Sequence, residues 1–415
     1  MSESNALDAL MLRCVRAYSA EVRDAALAQR EADLVFSPLG IWLLVCACLP
    51  AAAGADRERL EALVGCSADD AVRLLESFLA DAPSAIHAAV AVWISGQVET
   101  EPVRHWRERL PAVVERGPVP SQREADAWAD RKTLGLIPRF PVDVGDMDVV
   151  LASALATKVS WTVPYDVAST HDRFPVSSPW RDAVQYVLWT EVTGHTAIVG
   201  TQAAGLVAVH EARAAHDGLA VICVSADAAT DPAAVLAAAH EVGEHISAGS
   251  AVPATSLFDL PLGDGHSWTI SERERPAWQP GQRFERIRDV ALPAWRIHSE
   301  LGLLKSPTFG ATTATSVLGG LVGEGPADAK QVALATFDRT GFTAAAISTI
   351  ARAARAPVTP QHTGVERSAT MRFDHPFASV AVLVGDPQSQ SRRFRGLPVF
   401  EAWVQTPCEV TSDQL

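Results

Sequence analysis

Residues 377–384 read FASVAVLV, apolar at every position but one, with none of the alternation of a half-solvated strand. Eight residues are too few to cross a bilayer. The run must therefore lie inside a sheet that is covered on both faces. Runs at 290–297, 332–337 and 399–404 resemble it, so the last third reads as strand-rich. Further strands are expected at 85–94, 149–159, 205–210 and 219–225. The first third reads differently. Leu7, Met11, Val15, Tyr18 and Val22 recur at helical spacing, so residues 6–28 form an amphipathic helix. Ser37-Pro38 has the form of an N-cap followed by proline at the first helical position, opening a buried helix to about residue 49. Helices also fit 55–64, stopped by Gly65, then 121–135 around Trp128, and 232–244. Helices first and strands last, around one large sheet, make the class α+β.

The chain has 415 residues, 48% of them hydrophobic, and no low-complexity linker or internal repeat. One domain spanning 1–415 is the simplest organisation. A net charge of −14 speaks against nucleic acid as a partner, since phosphate binding needs clustered cations. The longest apolar stretch, 41–55, is short of a bilayer span and contains Pro50, so no membrane segment is expected. Cys14, Cys46, Cys48, Cys66, Cys223 and Cys408 show no CxxC pair and read as free thiols. The start, MSESNALDALMLRC, lacks the basic and apolar regions of a secretory signal. A cytoplasmic location is expected, with export by another route left open. His240-Glu241-Val242-Gly243-Glu244-His245 misses the zinc-protease pattern, because its second histidine falls at i+5 instead of i+4. Phosphate loops, GxSxG elbows and dinucleotide fingerprints are missing from the sequence. Neither a metal nor a cofactor is expected, nor is enzymatic activity.

Separated segments, in order, resemble those of the serpins. VFSPLGIW (35–42) is similar to the segment opening the family's central buried helix, and AAAGADRERLEALVG (51–65) to the turn and helix that follow. ADAWADRKTLGLI (125–137) is similar to its tryptophan-bearing helix, and LASALATKVSWTVPYD (151–166) to a long strand of its main sheet. RFDHPFASVAVLV (372–384) with GLPVFEAWVQTP (396–407) resembles its carboxy-terminal strand pair. FDRTGFTAAAIS (337–348) stands at the place of the family's hinge. The excess of arginine over lysine and the abundant alanine suit a GC-rich genome and a bacterial, actinobacterial-type member.

The resemblance implies a single α+β domain of about eight to nine helices around three β-sheets, with an exposed reactive-centre loop at about 341–372. It implies a monomeric serine-endopeptidase inhibitor that acts as a suicide substrate. Its loop is cut, inserts as a strand into the main sheet, and carries the acylated protease with it. The hinge falls on Gly341, Phe342, Thr343, Ala344, Ala345 and Ala346. The reactive bond falls at Arg355-Ala356, and an arginine there suits the acidic specificity pocket of a trypsin-like protease. The sheet-opening region falls on Trp161, Ser37, Ser153 and Gln331. The alternative is a non-inhibitory member acting as a binding or chaperone-like module.

The residues themselves suit insertion. Gly341 gives backbone freedom, and the alanines are small enough to pass between strands. Residues 342–355 reach roughly 45 Å when extended, and Ile347, Thr349 and Ile350 favour a strand. Several positions depart from the family pattern. Phe342 stands where a small hydroxyl residue is usual, and its ring is expected to slow insertion by roughly 5- to 150-fold. Arg339 replaces a glutamate and Ala294 its pairing lysine, while Gly40, Ser153 and Gln331 replace the usual Ser, Asn and His. An apparent insert, TPQHTGVERS (359–368), lengthens the loop and offers Arg367-Ser368 as an alternative cleavage bond.

Overall fold

The computed structural model describes residues 3–96, 100–192, 195–216, 218–248, 252–323, 325, 327–342, 362–385 and 393–410. The first helix, α1 (Glu3–Leu27), buries Met11, Val15, Tyr18 and Val22 along one stripe. After β1 (Leu34–Phe36), the Ser37 hydroxyl accepts from Gly40 N at 3.0 Å and Pro38 opens α2 (Pro38–Cys48), which is buried along almost its whole length. α3 (Gly54–Val64) ends on Gly65, whose φ of 79° needs a residue without a Cβ. α4 (Ala68–Ala80) is capped by Ser67. Then come β2 (Ile86–Ile94), α5 (Glu101–Arg109), β3 (Glu115–Gly117), α6 (Gln122–Lys132) with a Ser121/Glu124 capping box, β4 (Val149–Thr157) and β5 (Val159–Ser160).

The middle of the chain holds β6 (Asp166–Ser169), α7 (Thr170–Arg173), β7 (Tyr186–Glu191), β8 (Thr196–Thr201), β9 (Gly205–Arg213), β10 (Leu219–Ser225) and α8 (Pro232–Ala248). The last part holds β11 (Gly263–Asp264), β12 (Trp268–Ala277), β13 (Arg283–Leu292), β14 (Trp295–Gly302), α9 (Ala311–Val322), β15 (Lys330–Phe337), β16 (Gly341–Phe342), β17 (His362–Arg372), β18 (Phe377–Leu383) and β19 (Pro398–Val404).

One six-stranded sheet runs β1-β19-β18-β10-β9-β8 and another β11-β12-β17-β13-β7-β6. In place of one continuous third sheet there are three hydrogen-bonded groups: β3-β2-β4, β14-β15 and β16-β5. Every residue of β10, β18 and β19 is buried, as the unbroken apolar runs require. A main hydrophobic core takes in residues from Met11 to Val410. A smaller one lies under α6, where Trp93 meets Trp128 edge-on at 5.2 Å and Phe140 closes over both.

Two sequence expectations change. The run 290–297 is not one strand: Pro293 separates β13 from β14, which belong to different sheets. The reactive-centre loop does not extend to residue 372, because 362–372 form β17, an interior strand antiparallel to β12 and parallel to β13.

Candidate functional site: a slot between two half-sheets

β2 pairs along the whole of β4, and β14 along the whole of β15. Among the described residues β4 and β15 are not paired with each other, and a cavity of about 180 Å³ lies between their facing edges. Its walls are apolar, with Leu151, Ala152 and Leu155 on β4 and Ala329, Val332 and Ala333 at β15. Leu44 and Val45 of α2 form its floor. Among the described residues the facing side of each strand has no strand partner, and an edge of this kind is a template for pairing with a further strand.

What holds the two edges is α2, not each other. Ser37 N donates to Gln331 Oε1 and Gln331 Nε2 donates to Ser37 O, both at 2.9 Å. The Ser37 hydroxyl donates to Val399 O at 2.7 Å. On the opposite wall, the Ser153 hydroxyl donates to Gly40 O at 2.8 Å. Ser37, Ser153 and Gln331 are thus brought to the same helix end, one strand pegged from each side. The side chain of Gln331 does this with two hydrogen bonds, so the departures from the family's usual residues form a complete network of their own. Gly40 fits the crowding, since a Cβ there would sit 3.2 Å from Gln331 Nε2.

At the top of the slot the chain leaving β15 reverses. The Asp338 carboxylate accepts from Thr340 N (2.8 Å), Thr340 Oγ1 (3.0 Å) and Gly341 N (3.0 Å), and Asp338 N donates to Gly341 O. The turn delivers Gly341 opposite Ser160 and Phe342 opposite Val159, antiparallel to β5. Gly341 and Phe342, the first two residues of the expected hinge, therefore form a strand beside the slot's first wall. A Cβ on Gly341 would overlap the Val159 carbonyl oxygen, so only glycine permits this approach.

Trp161 locks the turn. Its backbone N donates to Thr340 O and its Nε1 to Asp338 O, both at 3.0 Å, and its ring lies 4.8 Å from that of Phe337. Arg339 is held by Tyr165 through Nε donating to Tyr165 O at 3.0 Å, while Tyr165 N donates to Arg339 O. Arg339 thus has a backbone partner at the position where the resemblance leads one to expect an ion pair, and Ala294 forms an antiparallel bridge with Cys408, whose N donates to Ala294 O. Below, the Tyr165 hydroxyl bonds His210 Nε2 at 2.6 Å and Thr196 Oγ1 bonds His210 Nδ1 at 2.9 Å. Burial pushes the His210 pKa down to about 4, against a smaller upward pull from Glu211. The roles of Asp338, Tyr165 and His210 are not legible in the sequence, where a lone aspartate, tyrosine or histidine carries no spacing signal.

Thr343, Ala344, Ala345, Ala346, Arg355 and Ala356 lie outside the described residues. Arg367 and Ser368 are described, and they correct the alternative cleavage bond. Both lie within β17 with strands on either side. Arg367 pairs with Glu272 at 2.9 Å and donates to the carbonyls of Leu257 and Leu260. Ser368 is buried. A protease must pair with its substrate's backbone, and here both edges are taken.

Hydrolase chemistry finds little support elsewhere. His240 bonds the buried Glu401 at 2.9 Å, Glu241 caps Gln202 N and Ala203 N, and Glu244 pairs with Arg16 at 3.1 Å. Among the described residues no cluster of three potential ligands is arranged to hold a metal ion. Ser225, His375 and Asp374 lie in a hydrogen-bonded row. His375 Nε2, however, is 2.7 Å from Ala226 O, so it donates there and cannot take the serine's proton, and Ser225 is fully buried. Among the described residues no helix is long and apolar enough to cross a membrane.

Neither a family model nor a curated protein matches the chain. Solved structures do. Serpin48 of the insect Tenebrio molitor, described as highly specific, shares 15% identity over 97% of this chain and 99% of its own, with a TM-score of 0.56. The thermophilic serpin tengpin, in its native state, shares 12% over 95% of this chain and 93% of its own, at a TM-score of 0.62. Thyroxine-binding globulin in complex with thyroxine shares 12% over 96% and 100%, at 0.58. Likeness at such identities is a likeness of architecture, and it holds from end to end: this chain has the serpin fold.

Proposed function

We propose that this chain is a suicide-substrate inhibitor of a trypsin-like serine protease, cut near Arg355-Ala356 and then closed by insertion of the freed loop between β4 and β15. The observation that carries the reading is the junction of slot and hinge. The Asp338 turn sets Gly341 and Phe342 antiparallel to β5, directed along the unpaired edge of the first half-sheet. A cut downstream lets each following residue add to the same ladder. Each step joins backbone groups and covers apolar wall, so insertion runs downhill once the chain is free. The arginine offers a cation to an acidic specificity pocket, where a desolvated charge-assisted contact is strong. The protein acts without cofactor or metal, as a monomer.

The experiment is incubation with trypsin followed by denaturing electrophoresis. A covalent complex stable in SDS supports the reading, together with a released peptide beginning at Ala356. Clean cleavage with no complex overturns the inhibitory reading in favour of a binding module on the same fold. Thyroxine-binding globulin, in its complex with thyroxine, shows that a protein of this architecture can carry a small-molecule ligand.

A further inference from the structure

Beyond the second six-stranded sheet, part of β12, β17 and β13 continues as a ribbon. Residues 271–276 of β12 are exposed without interruption, and Arg283, Glu285, Arg286 and Arg288 are exposed on β13. β7 pairs with β13 only from Asp289 onward and Val192 N donates to Arg288 O, so among the described residues 283–287 have no strand beside them on that side. At the tip, 278–282, Trp278 is 58% exposed. The tip is also where the chain re-enters the sheet after residues 343–361: His362 pairs with Ala277 and Gly281 N donates to Thr363 O.

The two edges of this ribbon carry charge differently. On β12, Glu272, Arg273, Glu274 and Arg275 alternate in sign, the pattern that guards an open sheet edge against another chain. On β13, residues 283–288 hold three arginines, Arg283, Arg286 and Arg288, and one acid, Glu285, whose carboxylate is occupied by Ser256 Oγ and Leu257 N. Among the described residues neither Arg286 nor Arg288 is in an ion pair. Guarding an edge needs charge but not a single sign, and this excess of cations stands out in a chain of net charge −14.

We infer that the β13 edge and the ribbon tip form a second contact surface for the protease that cuts the loop, fitted to an acidic patch on that protease with Trp278 as the apolar anchor. This rests on the reading that the loop is cut near Arg355. The chain from Arg355 to His362 reaches at most about 25 Å. That is less than the roughly 30 Å breadth of a small domain, so an enzyme seated on Arg355 abuts the ribbon tip. Exposed tryptophan and unpaired arginine are the side chains that dominate such contacts. The edge cations would steer an acidic enzyme to the loop and repel a basic one.

The test compares an anionic with a cationic trypsin, measuring the second-order rate at which a new amino terminus appears at Ala356. Arg286→Glu with Arg288→Glu should slow cutting by the anionic enzyme about tenfold at low salt. The gap should shrink as salt is raised, and cutting by the cationic enzyme should speed up. Trp278→Ala should slow both enzymes several-fold, while a synthetic peptide of the loop is cut at one unvarying rate. Equal rates for wild type and variants, or equal slowing of both enzymes by the charge reversal, would overturn the inference. The rate is read whether or not the protease stays trapped. Absence of a covalent complex therefore sinks the inhibitor reading alone, and failure of either trypsin to cut the loop sinks both.

Discussion

Gly341 faces Ser160 in a two-residue antiparallel pair so close that a methyl group on Gly341 would overlap the neighbouring Val159 carbonyl oxygen. The pair is the first rung of any longer strand laid along this wall. Gly341→Ala should push the hinge off β5 and leave the freed loop without a nucleus. We expect the number of inhibitor molecules consumed per trapped trypsin to rise several-fold, with the rate of loop cutting unchanged. A stoichiometry equal to wild type would show that the pair is not the starting point.

Phe342 now takes a different part. Its ring was expected to enter the sheet during the slow step, but its backbone is already in register with Val159 before any cut. Insertion then adds residues from 343 onward and does not move Phe342. Phe342→Thr should change the stoichiometry by less than about twofold, far short of a packed-volume barrier of about 1–3 kcal/mol. A large fall in the ratio would restore the steric argument.

Gln331 pegs β15 to α2 with two hydrogen bonds to Ser37. Gln331→Ala leaves the Ser37 amide and carbonyl without their partner in a semi-buried site, a loss of about 1–3 kcal/mol. The intact protein should melt a few degrees lower by calorimetry. Gln331→Glu should not rescue it, since a carboxylate cannot donate to Ser37 O.

How far these features were readable depends on what each residue must satisfy. The Ser37-Pro38 cap, the Gly65 stop and the buried run 377–384 follow from local rules, and each stands where its chemistry puts it. β17 did not read as a strand because its inward positions are met by charge. Glu366 is buried, which alone would raise its pKa, yet Arg273 and Arg275 hold it below the ordinary carboxylate range. Hydropathy sees polar residues there and suggests a loop. The break at Pro293 was hidden for the opposite reason: residues on both sides are buried in one core, so no change of pattern marks the seam. The separation of β4 from β15 is a matter of long-range pairing, which no local pattern encodes.

Acid should weaken the protein around the hinge. His210 is fully buried between Tyr165 and Thr196, with a folded pKa pushed down from 6.5 to about 4 by burial. A histidine depressed in this way favours the folded state while it is neutral. As pH falls through about 6.5 the unfolded chain takes up a proton that the folded chain refuses, until about pH 4. The stability lost across that window is of the order of 3 kcal/mol. His210→Gln should flatten this part of the pH profile in urea unfolding, whereas an unchanged slope would assign the acid sensitivity to other groups.

The last prediction concerns the two ends of the loop. Its near end is tied to β15 and β5, and its far end enters β17, which pairs with β12 from Trp268 to Ala277 and with β13 from Arg283 to Ala291. For the intact loop to fill the slot, its far end must travel down with it, and that would strip β17 out of two ladders at once. Each backbone hydrogen bond contributes about 0.5–1.5 kcal/mol net, so removing a doubly paired strand costs far more than thermal motion supplies. A cut near 355 removes the constraint without touching β17, and the strand then formed adds ladder bonds and covers apolar wall. The intact protein should keep an unchanged melting temperature through prolonged warm incubation, and limited cleavage near Arg355 should raise it by tens of degrees. Arg352→Ala with Arg355→Ala should block the rise by trypsin, while a protease of other specificity cutting in the same stretch should still produce it. Slow spontaneous stabilisation of the uncut protein would show that β17 is not the anchor. A nicked protein melting at or below the intact one would show that the slot does not take the loop.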